Sequence, residues 1–93
     1  MPTDLTHYAP PGFWRHYNAL PEAIQQLAKK QYQLLKANPH HHSLRFQPKH
    51  GTPYWAARVS QDYRALARYQ GNGNYLWLWI GTHSDYQRLL SGK

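Results

Sequence analysis

Two turns, each readable on its own, sort the second half of this chain into one sheet. Residues 54–69, YWAARVSQDYRALARY, read as two short strands folded back on each other at Ser60-Gln61-Asp62. Asn72-Gly73, just before the apolar run YLWLWIGT of residues 75–82, is a strong two-residue turn signal. With 60–62 as the loop, Val59 faces Tyr63 and Arg58 faces Arg64, and side-chain alternation gives the hairpin two faces. One face carries Trp55, Ala57, Val59, Tyr63, Ala65, Ala67 and Tyr69; the other carries Tyr54, Ala56, Arg58, Arg64, Leu66 and Arg68. The second turn predicts Tyr69 opposite Leu76, Arg68 opposite Trp77, Leu66 opposite Trp79 and Arg64 opposite Gly81. That register adds Leu76, Leu78 and Ile80 to the apolar face, and Trp77, Trp79 and His83 to the arginine face. Two arginines directly opposite each other cost stability unless something negative lies between them, so this face is a candidate anion surface.

The rest of the chain fits around that sheet. Residues 1–12, with Pro2, Pro10 and Pro11 and no apolar period, predict an irregular arm ahead of a single domain over 13–93. Phe13, Trp14, Tyr17 and Leu20 suit a first short helix. Pro21 and Glu22 suit the first turn of a second, whose Ile24, Leu27, Ala28, Leu34 and Leu35 recur at helical spacing until Asn38-Pro39. A first strand is expected over 43–47, then a loop over 48–53 carrying Lys49 and His50. Ser84 is placed to cap a last short helix through Tyr86 and Leu90. The expected fold is therefore α+β: two N-terminal helices on one side of a four-stranded antiparallel sheet, with a short C-terminal helix. A chain of 93 residues has room for one modest core.

Composition narrows the chemistry. Lys and Arg number 11 against 4 Asp and Glu, a formal charge of +7, and the acids are only Asp4, Glu22, Asp62 and Asp85. Such an excess attracts polyanions, nucleic acid or an acidic protein. There is no cysteine, hence no disulfide or thiolate site. No apolar run reaches membrane-spanning length and no signal segment opens the chain, which suits a cytoplasmic protein with no membrane partner. His40-His41-His42 invites a metal, but adjacent loop residues rarely converge on one ion and no carboxylate stands nearby, so neither metal nor cofactor is expected.

Arginine forks hold phosphate, and Trp77 and Trp79 beside Arg68 can stack on unpaired bases, which describes single-stranded RNA better than duplex DNA. RNA supplies its own nucleophile in the 2′-hydroxyl. A metal-free protein can therefore cleave it by aligning attack, dispersing charge on the phosphorane and protonating the leaving 5′-oxygen. His83 is the candidate acid or base, Arg58 and Arg64 the phosphate holders, and Tyr86 a group that orients the nucleotide or belongs to the core of the last helix.

The runs NPHHHSLRF, YWAARVSQDYRAL and WIGTHSDYQRLL, in this order and spacing, resemble the RelE/ParE superfamily of toxins from type II toxin–antitoxin systems, over about residues 13–90. The resemblance implies helices against an antiparallel sheet and, in its ribosome-dependent mRNA endonucleases, catalytic basic residues that match Arg58 and Arg64. Their histidine at the end of the last strand matches His83. Basic residues of the loop before the hairpin correspond loosely to Lys49 and Arg45, and the C-terminal tyrosine of some members lies at a slightly different spacing from Tyr86. No glutamate stands near that loop to act as base, which leaves His50, Lys49 or a water for the task. The implied partners are mRNA on the ribosome and an acidic antitoxin, partly disordered until bound, forming a hetero-oligomer. Two other readings stay open: a ParE-type DNA gyrase inhibitor, and a non-catalytic module that only binds antitoxin or RNA.

Overall fold

The computed structural model describes residues 6–91. Its elements in chain order are β1 (Thr6–Tyr8), α1 (Pro11–Asn18), α2 (Glu22–Ala37), β2 (Gln47–Pro48), β3 (Tyr54–Ser60), β4 (Tyr63–Gly71), β5 (Asn74–Thr82) and α3 (His83–Ser91). Asn72 and Gly73, at φ 54 and 78, form the turn between β4 and β5. Positive φ at both central residues gives the twist a two-residue hairpin needs. On the other side Gln61-Asp62 turns β3 into β4 with Ser60 opposite Tyr63, and Arg58 stands opposite Arg64 as expected. The loop is one residue shorter than expected because Val59 is absorbed in a bulge between these pairs, and it keeps its side chain buried.

The sheet has five strands, not four, in the order β1-β5-β4-β3-β2. The additional strand comes from the expected irregular arm: Thr6–Tyr8 runs parallel to β5, and the Thr6 N–H donates to the Gly73 carbonyl at 2.8 Å. Residues 1–5 of the arm lie outside the described residues. The strand expected over 43–47 contributes only Gln47 to the ladder. Leu44, at 1% exposure, is anchored in the core, and Arg45 at φ 45 breaks the extended path. The rest of the β3 edge is satisfied otherwise. Its Arg58 N–H donates to the Leu44 carbonyl at 2.7 Å, and the Arg58 carbonyl accepts from Gln31 Nε2 of α2 at 3.1 Å.

β4 and β5 keep the expected register at Arg64–Gly81 and Leu66–Trp79 and then slip by one residue. Ala67 stands opposite Trp77 and Tyr69 opposite Tyr75, leaving Leu78 bulged. A one-residue slip exchanges the faces. Tyr75 and Trp77 therefore join Ala57, Val59, Ala65, Ala67 and Ile80 beneath the helices, with Tyr17, Leu35 and Leu44. Leu76, placed opposite Arg68, leaves the helix-covered face. Trp77 is thus a core residue, contrary to its assignment to the arginine face.

Helix α2 runs from Pro21 at its N-cap to Asn38 at its C-cap, where Pro39 prevents continuation, and it turns Ile24, Leu27, Ala28 and Leu34 to the core. The Tyr17 hydroxyl of α1 donates to the Gln25 carbonyl at 3.1 Å, fixing the two helices to each other. The arginine face is not left open. Tyr86 and Leu90 of α3 close over Ala56 and Leu66, with Tyr54 and Trp79 at the margin, making a second small core. Burying a side chain of this size stabilises by about 1.5–3 kcal/mol, which holds the short helix in place. Its cap is Thr82, whose Oγ1 accepts the Asp85 N–H at 3.1 Å, and not Ser84.

Candidate functional site

The Gln61-Asp62 turn organises the site. Arg64 folds back on it, its Nη1 donating to the carbonyls of Ser60 at 2.6 Å, Tyr63 at 3.0 Å and Gln61 at 3.1 Å. The same turn holds the start of α3, since the His83 backbone N–H donates to the Asp62 carbonyl at 2.7 Å. One tight turn therefore fixes both the Arg64 guanidinium and His83. Burial first, then the positive charge of Arg58, lowers the Arg64 pKa; Arg45 adds to the lowering, while Tyr86 and Asp62 oppose it. An arginine remains ionised under such pressure, so the result is a partly buried cation beside Arg58 and Arg45, a candidate site for an anion.

Tyr86 forms the wall between the basic groups. It is 7% exposed, His83 stacks against it with centroids 5.9 Å apart, and Lys49 Nζ lies 5.7 Å from its ring centre. Lys49 is presented by its own loop. Its N–H donates to the Tyr54 carbonyl at 2.8 Å, while its carbonyl accepts from Thr52 N at 3.1 Å and Thr52 Oγ1 at 2.9 Å. Tyr86 is thus a core residue of α3, and its ring is the surface on which His83 and Lys49 rest.

Beside this cluster is a cleft of about 420 Å³ whose lining includes His42, Ser43, Arg45, Arg58, Ser60 and Gln61. His42 stacks on His41 with centroids 4.7 Å apart, and His41 Nδ1 lies 3.0 Å from Ser43 Oγ. Sequence reasoning did not place His42 here, because a histidine run in a loop says nothing of where the loop folds. The signal available was its closeness in sequence to Arg45 and the buried anchor Leu44.

The structure therefore groups Arg45, Arg58, Arg64, Lys49, His83 and Tyr86. It separates the others. Arg68 is exposed and four residues from Arg64 along β4, about 13 Å at the rise of a strand. Trp77 lies under the helices and donates its Nε1 proton to His7 Nδ1 at 3.0 Å. Trp79 keeps the expected face but folds over Gly81, where an added Cβ would lie 2.5 Å from its Cζ2, and its ring reaches His16 of α1 at 6.4 Å between centroids. His50 is exposed on the Lys49 loop. Among the described residues no three His, Asp or Glu side chains group to hold a metal ion, and no helix is long and apolar enough to cross a membrane.

A family model described as the ParE-like toxin domain matches residues 22–88. No curated protein matches the chain. Among solved structures, YafQ in the Escherichia coli DinJ-YafQ toxin-antitoxin complex superposes with a TM-score of 0.68 at 15% identity, covering 88% of this chain and 96% of that one. The Mycobacterium tuberculosis RelBE2 toxin-antitoxin complex gives 0.64 at 17% identity, over 86% and 99%. A YoeB/ParE toxin from Agrobacterium tumefaciens gives 0.64 at 16% identity, over 85% and 99%. At these identities the structural likeness establishes a shared fold.

Proposed function

This chain belongs to the family of ParE-like toxin domains, and on that premise we propose that it is a ribosome-dependent mRNA endonuclease, the toxin of a toxin–antitoxin pair. The observation that carries the reading is the Arg58–Arg64 pair, with Arg64 held by three turn carbonyls and His83 fixed to the same turn. In the proposed reaction the 2′-oxygen attacks the adjacent phosphorus and the P–O5′ bond breaks. The products are a 2′,3′-cyclic phosphate and a 5′-hydroxyl. Arg64 and Arg58 bind the phosphate and oppose the charge that grows on its equatorial oxygens, work for which guanidinium suits better than ammonium. His83 gives its proton to the departing 5′-oxygen, and the Tyr86 ring fixes its orientation. The 2′-hydroxyl proton passes to a base drawn from Lys49, His50, His42 or a water, of which His42 lines the cleft beside Arg58. Arg45 and Arg68 bind the flanking phosphates, with Trp79 at the margin for a base.

Support for a protein partner comes from neighbours described as toxin-antitoxin complexes. A surface with a net +7 on the chain suits an acidic, disordered antitoxin that orders on binding. The reaction is tested by mapping transcript 5′ ends on programmed ribosomes with wild type, His83→Ala and Arg64→Ala. Each substitution is expected to slow cleavage about 10²–10³-fold; equal cleavage by all three would sink the assignment. The ParE-like family description favours a second reading, a gyrase inhibitor, which predicts DNA damage signalling with transcripts left intact.

A further inference from the structure

On the opposite, helix-covered side of the sheet lies a cavity of about 400 Å³ bounded by β1, α1, α2 and the core strands. Its size falls in the range of small-molecule sites, roughly 300–1,000 Å³. Its walls are apolar and largely aromatic, including Phe13, Trp14, Tyr32, Leu35, Trp77 and Ile80, and no carboxylate among the described residues lines it. Lys29, Gln31 and Arg58 also line it, and the polar group with an unmatched atom is His7. Its ring stacks on Tyr75 at 5.6 Å, and its Nδ1 accepts the Trp77 Nε1 proton at 3.0 Å. A nitrogen that accepts cannot carry the proton, so in the neutral ring Nε2 is the donor. That Nε2 is buried and has no partner among the described residues. A desolvated N–H without an acceptor is unfavourable, and an acceptor brought by a ligand would remove the penalty. Positive charge stands nearby: Lys29 lines the cavity, and Lys36 Nζ lies 5.0 Å from the centre of the Tyr32 ring, which itself meets His7 edge-on.

We propose that this cavity binds a small planar aromatic anion, its ring system between the helices and the sheet and its anionic oxygen accepting the proton of His7 Nε2. Three features select that class: aromatic walls for a flat apolar body, one unpaired donor for one acceptor, and Lys29 and Arg58 for the charge in a lining with no carboxylate among the described residues. Arg58 lines both this cavity and the cleft of the basic side, whereas Arg64, Lys49 and His83 line neither.

The probe is 8-anilinonaphthalene-1-sulfonate, with N-phenyl-1-naphthylamine as the body lacking the sulfonate. Fluorescence titration is expected to show one sulfonate probe per chain, bound at least tenfold more tightly than the neutral analogue. Ala28→Phe, which directs a ring from α2 into the cavity, is expected to abolish binding while keeping a cooperative unfolding transition. Should that variant fail to fold, nitrogen-15 NMR of the wild type decides: the ring signals of His7 and Trp77 should shift most. Shifts centred on Arg45 and Arg64, undiminished binding by folded Ala28→Phe, equal affinity for the two probes, or no binding of either overturns the proposal.

Discussion

Arg58 and Arg64 face each other across β3 and β4, and cross-strand neighbours of like charge normally destabilise a sheet. Arg64 relieves part of that cost by turning Nη1 onto the carbonyls of Ser60, Gln61 and Tyr63, so that partial negative charge meets its guanidinium from the turn. Among the described residues no carbonyl or carboxylate gives the Arg58 side chain such relief. The two residues should therefore respond differently to neutralisation. Arg58→Gln is expected to raise folding stability by about 0.2–1 kcal/mol through loss of the repulsion, while transcript cleavage falls about 10²-fold because half of the proposed phosphate fork is gone. Urea unfolding and 5′-end mapping on one preparation check the pair of effects. A variant that loses stability and activity together would mark Arg58 as a structural residue. The pairing itself was legible in the sequence, because the alternation in YWAARVSQDYRALARY permits one sensible register. The fold-back of Arg64 was not, since the shortened turn that exposes three carbonyls to it depends on the Val59 bulge.

At the scale of elements, strand β1 is the addition that the sequence concealed: three residues, too short for a pattern, joined to β5 by backbone pairing and by the Trp77–His7 bond. Burial, and next the charge of Lys36, lowers the His7 pKa below its ordinary 6.5. Above that value His7 is neutral in both the folded and unfolded states and the stability is intact. As pH falls below it, the unfolded chain takes up the proton more readily than the folded one, and stability is lost by up to about 1.4 kcal/mol per pH unit until the lowered folded value is reached. Protonated His7 also cannot accept from Trp77, so the β1 contact weakens in the same interval. Urea midpoints between pH 7.5 and 5.5 should fall more steeply for wild type than for His7→Gln; parallel slopes would assign the loss to the other histidines. The neighbouring register slip was hidden for a related reason. In YLWLWI both alternation phases are apolar, so no polar side chain marks which face is wet, and a bulge at Leu78 exchanges Trp77 for Leu76 without a trace in the pattern. The Asn72-Gly73 turn, by contrast, was legible because its backbone demands those residue types.

Across the whole molecule, one sheet separates two environments: an apolar side covered by α1 and α2, and a basic side partly roofed by α3. That roof was not foreseen, because the amphipathic turn of α3 is too short to say which face of the sheet it seeks. Its consequence is a basic rim interrupted by the Tyr86–Leu66 core, with Arg45, Arg58 and Arg64 near the β3–β4 turn, Lys49 reaching Tyr86 from the loop at the other end of β3, and Arg68 opposite Tyr54 at that same end. If single-stranded RNA runs along this rim, five cations meeting phosphates give a slope of log K against log salt of about −3.5. Arg68→Gln removes one contact far from the reacting phosphate. It is expected to reduce the slope by about 0.7 and leave the cleavage rate at saturating RNA unchanged, whereas Arg64→Gln lowers both. Fluorescence anisotropy of a labelled oligonucleotide, titrated from low to high salt, measures the first quantity, and single-turnover cleavage measures the second. An unchanged slope in Arg68→Gln would confine the RNA path to the turn end of the sheet and leave the far half of β4 outside it.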